Sequence, residues 1–234
     1  MCSADNEAQR QRRTTDKVIA IDGPAGSGKS TVAKELARRL GFLYVDTGAM
    51  YRALTLKAIG GNVDLEDAEA LTELAKVVDI QLDMQGEALE VKLDGQDVSG
   101  DIRQPSITEK VKFVARIPSV RTEMVRLQRT LAAQSQGAVL EGRDIGTVVF
   151  PNARHKFYLD AQAGERAKRR HKELTQMGQQ VSLEELTKEI NERDKSDMER
   201  EVAPLTRAAD AIYVDTTHLT IEQVVLKIIG LCST

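Results

Sequence analysis

The stretch Gly23-Pro24-Ala25-Gly26-Ser27-Gly28-Lys29-Ser30 most constrains what this 234-residue chain can fold into. It is a complete G-x-x-x-x-G-K-S running straight out of the apolar run Val18, Ile19, Ala20, Ile21. Glycines let a backbone curl tightly enough for successive N–H groups to converge on phosphate oxygens, and the helix that follows turns its positive end to the same anion. The spacing therefore predicts a strand, a phosphate cradle and a helix from Lys29 to Leu40, where apolar residues recur at helical intervals. Lys29 would set a compact cation on the β- and γ-phosphates, the Ser30 hydroxyl would help coordinate a Mg²⁺ ion, and Thr31 adds a further hydroxyl. A flexible Gly/Ser connector matches such a pattern by chance in roughly one per cent of chains this long. The β-branched run before it and the helical run after it argue against that reading.

Gly41 is placed to stop the first helix, and Phe42-Leu43-Tyr44-Val45 reads as a short buried strand ending at Asp46-Thr47. Asp46 to Arg52 then opens a helix with a cap-type residue. Arg52 falls in its first turns, either forked onto a phosphate or as an ordinary helix-surface cation. Gly60-Gly61-Asn62 breaks this helix, and Glu66 to Val78 predicts another, with Leu71, Leu74, Val77 and Val78 as its apolar side. Period-two alternation then takes over in Ile80–Met84, Leu89–Leu93 and Gln96–Val98, a small antiparallel meander interrupting a βα alternation. Two helices follow, Ile102 to Arg116 and Ser119 to Ala133, divided at Pro118. Ala138–Glu141, Lys156–Asp160 and Ala211–Asp215 bring the buried strand candidates to five, and Ile221 to Leu231 is a terminal helix.

Two segments carry charge where strands end. Gly142-Arg143-Asp144-Ile145-Gly146-Thr147 crowds opposite charges and glycines at the carboxyl end of a strand, so it reads as a second site element. Glu165 to Arg200 is the most polar part of the chain, with Arg166, Lys168, Arg169, Arg170, His171 and Lys172 on one predicted helix and a hinge-like break at Gln176–Gln180. Further on, Arg193, Asp197 and Arg200 stand at i, i+4 and i+7, one face of a helix that spacing alone reads as a surface ion-pair ladder or as a substrate face.

Composition narrows the partners. With 33 Lys+Arg against 36 Asp+Glu, nothing calls for a nucleic-acid polymer, and phosphorylated small molecules need only local basic clusters. Cys2 and Cys232 fit neither a disulfide framework nor metal-ligand spacing, which points to a reducing cytoplasm. No apolar run reaches the roughly 18 residues needed to cross a bilayer. Residues 1–16, with Arg10, Arg12 and Arg13 among polar residues, read as a disordered extension.

Five motifs now stand in order: Ile21–Ser30, Asp46–Arg52, Asp97-Val98-Ser99, Glu141–Val149, and Glu192-Arg193-Asp194 with Asp197, Arg200 and Ala203-Pro204-Leu205. Together they resemble the bacterial-type cytidylate kinases, P-loop nucleoside monophosphate kinases, from about Lys17 onward. The resemblance implies an α/β fold, a three-layer α/β/α arrangement on a five-stranded parallel sheet with a small inserted antiparallel β lobe and a helical lid. It implies one kinase domain over 17–234, with the monophosphate lobe at about 62–118 and the lid at about 162–190. The implied reaction is ATP-dependent phosphorylation of CMP and dCMP to CDP and dCDP, with Mg²⁺; the accompanying expectation, with the charge balance, cysteines and apolar runs above, is a cytoplasmic monomer that binds neither nucleic acid nor membrane.

Carried over residue by residue, Gly23, Pro24, Ala25, Gly26, Ser27, Gly28, Lys29, Ser30 and Thr31 would bind ATP, with Ser30 on the metal. Thr47, Arg52, Arg121, Arg143, Asp144, Arg193, Asp197 and Arg200 would line the monophosphate site. Lys29, Asp144 and the lid arginine Arg169 would serve the transfer itself, Arg169 facing the moving phosphoryl group. Two positions depart from the family's pattern: Lys112 where a small hydroxyl residue is expected near the base or sugar, and Glu141 where many relatives have Asp. A nucleotide switch sharing the same cradle would need a guanine-reading N-K-x-D, which the sequence lacks. Kinases of other small metabolites stay open at this point, to be separated by turnover of CMP, UMP, AMP, shikimate and gluconate.

Overall fold

The computed structural model describes residues 15–176, 178 and 181–232. The expectation of a disordered extension at 1–16 therefore lies outside the described residues as far as 14, and so do residues 177, 179 and 180 of the hinge-like break.

The chain runs β1 (Val18–Asp22), α1 (Lys29–Leu40), β2 (Leu43–Asp46) and α2 (Thr47–Gly60), and then leaves the main sheet. After α3 (Ala68–Val77), a meander β3 (Ile80–Gln85), β4 (Ala88–Leu93) and β5 (Gln96–Asp97), and helices α4 (Pro105–Ala115) and α5 (Pro118–Gln134), it returns as β6 (Ala138–Gly142) and β7 (His155–Asp160). A helix pair, α6 (Ala163–Gln176) and α7 (Leu183–Glu199), precedes β8 (Ile212–Asp215) and the terminal helix α8 (Ile221–Cys232). The main sheet has the order β2-β6-β1-β7-β8, all parallel, and the meander forms a separate antiparallel sheet β3-β4-β5.

Every residue of β1 and β6 is buried, which requires cover on both faces and explains why these strands are continuous apolar runs rather than alternating ones. The sheet register sets Asp22 opposite Gly142 and Tyr158, and Asp46 opposite Glu141, so several polar strand ends share one edge. That carboxyl edge is where open parallel sheets bind ligands. Gly41 ends α1 in the left-handed region (φ 65°), its N–H donating to the Ala37 carbonyl, while the Asp46 side chain caps α2 by accepting from the Ala49 N–H at 2.7 Å.

Local expectations shift at four places. The buried stripe of α3 is Leu71 and Ala75 and continues to Val78, so Val77 falls off it and is 72% exposed. Gln104 precedes a proline and is extended (ψ 141°), so the expected helix from Ile102 divides into a single turn at Asp101–Arg103 and α4 beginning at Pro105. Pro118 is likewise the first residue of α5, where its missing N–H costs nothing. β8 proves to be an edge strand with Ile212 and Tyr213 half exposed, because no strand among the described residues pairs beyond it in the sheet.

Candidate active site

β1 delivers Asp22 to the carboxyl edge, and the chain turns at once into the Gly-rich loop. Gly23 has φ 147°, and a Cβ there would stand 1.9 Å from the Leu159 carbonyl oxygen, so only glycine lets the loop lie against β7. Within the loop, the Lys29 ammonium donates to the Pro24 carbonyl at 2.6 Å and approaches Ser27 Oγ at 3.5 Å. Burial pulls the Lys29 pKa down to about 7, with Arg143 and Arg193 acting in the same direction against Glu141 and Asp22. Ser30 and Thr31 are exposed on the first turn of α1, and Thr216 Oγ1 supports the loop from the far side by donating to the Ser27 carbonyl at 3.0 Å.

Asp22 ties this loop to the second site segment. Its two oxygens accept from the N–H groups of Ile145 and Gly146 at 2.8 and 2.7 Å. Burial pushes its pKa up to about 6 in spite of those two bonds, and the nearby Asp144 charge adds to the rise.

Across the edge lies an arginine cluster drawn from four parts of the chain. Arg121 of α5 pairs with the buried Asp144, donates to the Ala115 carbonyl at 3.1 Å and lies over the Tyr51 ring with 5.4 Å to its centroid. Arg143 donates through Nε to Asp197 Oδ2 at 2.7 Å. Arg200 bonds the Ala203 carbonyl at 2.6 Å and stands 3.8 Å from Asp144 Oδ1. Arg52 lies 3.4 Å from Asp46 Oδ2.

The charges in this cluster are mutually adjusted. Burial works against charged Asp197, yet Arg143, Arg193 and Arg200 hold its carboxyl below the usual range. Arg193 is exposed overall, yet desolvation, together with the Arg143, Arg52 and Arg170 charges and against Asp197, pulls its pKa down to about 10. Burial and the Arg121 charge act on Arg200 in the same sense.

Three buried polar atoms here make no hydrogen bond among the described residues: Nε of Arg121, Nη2 of Arg200 and the Tyr51 hydroxyl. Native proteins rarely leave buried polar atoms unpaired, and cationic donors least of all, so this group is shaped for an anion with several acceptor oxygens. The Gly-rich loop and a second set of cationic donors thus lie at one sheet edge.

Residues 19–234 match the family model described as Cytidylate kinase. The chain belongs to the cytidylate kinase family. It is 53% identical over 210 residues to a cytidylate kinase of Caldanaerobacter subterraneus subsp. tengcongensis, covering 90% of this chain and 92% of that one. Identity to a cytidylate kinase of Desulforamulus reducens is 53% over 216 residues, covering 92% and 96% of the two chains. For a cytidylate kinase of Geobacillus sp. (strain WCH70) it is 54% over 210 residues, covering 90% and 93%.

The structure brings Arg121, Arg143, Asp144, Arg193, Asp197 and Arg200 together through the charges just described, with Arg52 at the border beside Asp46. Thr47 is buried at the same edge, but its hydroxyl donates to the Glu141 carbonyl at 2.7 Å. Arg200 follows the end of α7 instead of continuing it, with ψ 140°, which turns its side chain back over Ala203. Arg169 stands apart from the cluster. Its guanidinium donates to Thr216 Oγ1 at 3.0 Å and to the Thr216 carbonyl at 2.5 Å, beside Gly28 of the Gly-rich loop. Lys112 is exposed on α4, its ammonium 5.3 Å from the centroid of the neighbouring Phe113 ring.

Four residues at the site carry roles that sequence reading did not assign: Asp22, Tyr51, Arg166 and Asp194. Asp22 and Tyr51 lie inside recognised motifs, so the signal was adjacency to Gly23 and Arg52. Asp194 also lies inside a motif, next to Arg193, but nothing local marks it as buried, and Arg166 is one basic residue among many on a polar helix.

Proposed function

We propose that this chain transfers the γ-phosphoryl group of ATP to the phosphate of CMP and dCMP, with residues 23–31 holding the donor and the arginine cluster holding the acceptor. The observation that carries the site assignment is the set of buried donors without a hydrogen-bond partner among the described residues, Arg121 Nε, Arg200 Nη2 and the Tyr51 hydroxyl, gathered around Asp144, whose charge also acts on Asp22 at the start of the loop. In the reaction an oxygen of the acceptor phosphate bonds to the γ-phosphorus while the bond to the β–γ bridging oxygen breaks, releasing ADP. Such transfer needs little covalent help from a protein; it needs alignment, charge neutralisation and exclusion of water.

Lys29 meets the donor phosphates by giving up its bond to the Pro24 carbonyl. Arg121, Arg143 and Arg200 meet the acceptor phosphate, with Asp144 holding Arg121 and Asp197 holding Arg143 in the required orientation. Arg193 and Asp197 are assigned to the acceptor's sugar side, and Arg52 and Thr47 border the same pocket. Arg169, held on Thr216 beside Gly28, is assigned to the donor side of the transferred group.

No group of three or more His, Cys, Asp or Glu side chains among the described residues is arranged to hold a metal. Mg²⁺ usually keeps several waters and takes other ligands from substrate phosphates, so the exposed Ser30 hydroxyl fits the share a protein supplies. Bound there, the ion would neutralise charge on the phosphates.

The lobe at about 62–118 and the lid at about 162–190 are proposed as the parts that close over acceptor and donor. Arg166 and Arg169 pin the first turns of α6 to the donor loop and to Thr216, so the moving part of the lid lies beyond them. A cytoplasmic monomer is the accompanying reading. No helix among the described residues is long and apolar enough to cross a membrane. An ADP-release assay across CMP, dCMP, UMP, AMP, shikimate and gluconate tests the function: CMP and dCMP are expected to lead, and preference for any of the others refutes the acceptor assignment. Sedimentation of the pure protein checks the monomer.

A further inference from the structure

One buried ion pair connects the two lid helices to the donor loop. Arg166 of α6 and Asp194 of α7 are 7% and 6% exposed and pair through Nη1 and Oδ2. The same two side chains hold both polar atoms of a single loop residue: Arg166 Nη1 donates to the Ala25 carbonyl at 2.9 Å, and the Ala25 N–H donates to Asp194 Oδ1 at 3.2 Å. Arg166 Nε is fixed in turn on the Ala161 carbonyl at 2.9 Å. Nothing in the transfer chemistry uses this pair. Desolvation commonly offsets the attraction within a buried ion pair, so stability alone is a weak reason for its presence.

Its position supplies a different reason. Asp194 follows Arg193 directly and precedes Asp197 by three residues, so all three lie within about one turn of α7. Asp197 is docked on Arg143 at 2.7 Å. Contacts that an acceptor makes with Arg193 and Asp197 favour this docked position of α7, and the docked position is the one in which Asp194 grips Ala25. Fixing both polar atoms of Ala25 preorganises the loop, which lowers the ordering cost of binding a polyphosphate.

We propose that Arg166 and Asp194 are positioning residues that couple acceptor occupancy to the shape of the donor loop, so that CMP and ATP strengthen each other's binding. The inference rests on the assignment of the loop to ATP and of the arginine cluster to CMP. Linkage requires the effect to be reciprocal.

The test is a calorimetric titration of the full-length protein with a non-hydrolysable ATP analogue, with and without saturating CMP. Wild type is compared with the double variant Arg166→Met/Asp194→Asn, which removes both charges and so leaves no unpaired buried ion. CMP is expected to tighten analogue binding about fivefold or more in wild type and less than about twofold in the double variant. A purely structural role would lower the Tm, or weaken both affinities, without changing their ratio. An unchanged ratio in the variant overturns the proposal, as does absence of any CMP effect in a wild-type enzyme that turns CMP over. A wild-type enzyme that does not phosphorylate CMP overturns the functional assignment instead. Should the double variant fail to fold, Arg166→Lys keeps the charge without the fork that spans the Ala25 and Ala161 carbonyls; an intermediate ratio is expected, and the wild-type ratio refutes the coupling.

Discussion

In the donor loop the groups suited to phosphate are bonded to one another, with the Lys29 ammonium on the Pro24 carbonyl and the Ser27 hydroxyl on the same oxygen at 3.1 Å. In the arginine cluster, Arg121 Nε, Arg200 Nη2 and the Tyr51 hydroxyl are buried without a hydrogen-bond partner among the described residues, Arg200 Nη2 having only the longer ion-pair contact to Asp144. The loop is contiguous in sequence, so Ser27 and Lys29 find an acceptor within it at Pro24, while Ala25 is held from outside by Arg166 and Asp194. The cluster gathers Arg52, Arg121, Arg143, Arg193 and Arg200 from separated parts of the chain, with Asp46, Asp144 and Asp197 beside them and Glu141 and Asp194 also acting on Arg143. Buried cationic donors that lack a hydrogen-bond partner among the described residues make an anion the complement of the cluster. On the proposed assignment, the loop would exchange internal bonds for ligand bonds, while the cluster would receive hydrogen bonds it otherwise lacks.

The contrast breaks first at Lys29. Lys29→Ala should lower kcat by about a thousandfold or more, through loss of charge at the transferring phosphates, with no fall in Tm. The fold tolerates the change because burial already disfavours the ammonium, as its pKa of about 7 records. Near-normal turnover in a steady-state assay would remove Lys29 from the donor site.

Arg200→Ala should reduce kcat/KM for CMP by about ten- to 150-fold and leave ATP affinity in the absence of CMP unchanged, as expected for loss of a charged hydrogen bond. Asp197→Ala should cost a similar factor and also lower the Tm at pH 7, because Arg143 loses its partner. Asp197 has a folded pKa below its ordinary value, so its stabilisation is present above the unfolded pKa and is lost as pH falls through the folded one. The Tm difference between wild type and variant should accordingly close on acidification. Wild-type kinetics in both variants would return this face to an ion-pair ladder.

A smaller effect separates the two halves by pH. Lys29 titrates near 7 in the free protein, and bound polyphosphate raises that value, so donor affinity is full below about pH 7 and weakens above it. Binding of the ATP analogue at pH 8 should therefore take up a fraction of a proton, read from calorimetry in buffers of different ionisation enthalpy, and Lys29→Met should abolish the uptake. Equal heats in all buffers for wild type would contradict the assignment. At the low end, Glu222→Ala removes an exposed partner of Arg39 and should move the Tm by about a degree or less with no kinetic change, since exposed ion pairs contribute little.

The five strands, the helix from Lys29 to Leu40, the meander and the donor loop were legible because each is written in a short window: an apolar run, a helical period, an alternation, a glycine at a fixed offset. The family's motifs also pointed to most of the arginines of the acceptor cluster. Val77 and the split before Pro105 were misjudged where an apolar period continued past a helix end, or where a proline restricted the residue before it.

What the sequence determined by itself was the chemistry available at each strand end, since residue type and local spacing carry that information. Only the tertiary structure decided the pairings. Arg121 meets Asp144 across 23 residues, Arg166 meets Asp194 across 28, and Asp22 reaches the amides of Ile145 and Gly146 across 123 and 124. Which charges meet over such separations depends on the strand order β2-β6-β1-β7-β8 and on where rigid helices place their side chains. A local window shows neither. Arg166 and Arg169 stand on the same predicted basic face, yet packing buries the first between Ala25 and Asp194 and sends the second to Thr216, because only the folded chain puts partners within hydrogen-bond reach.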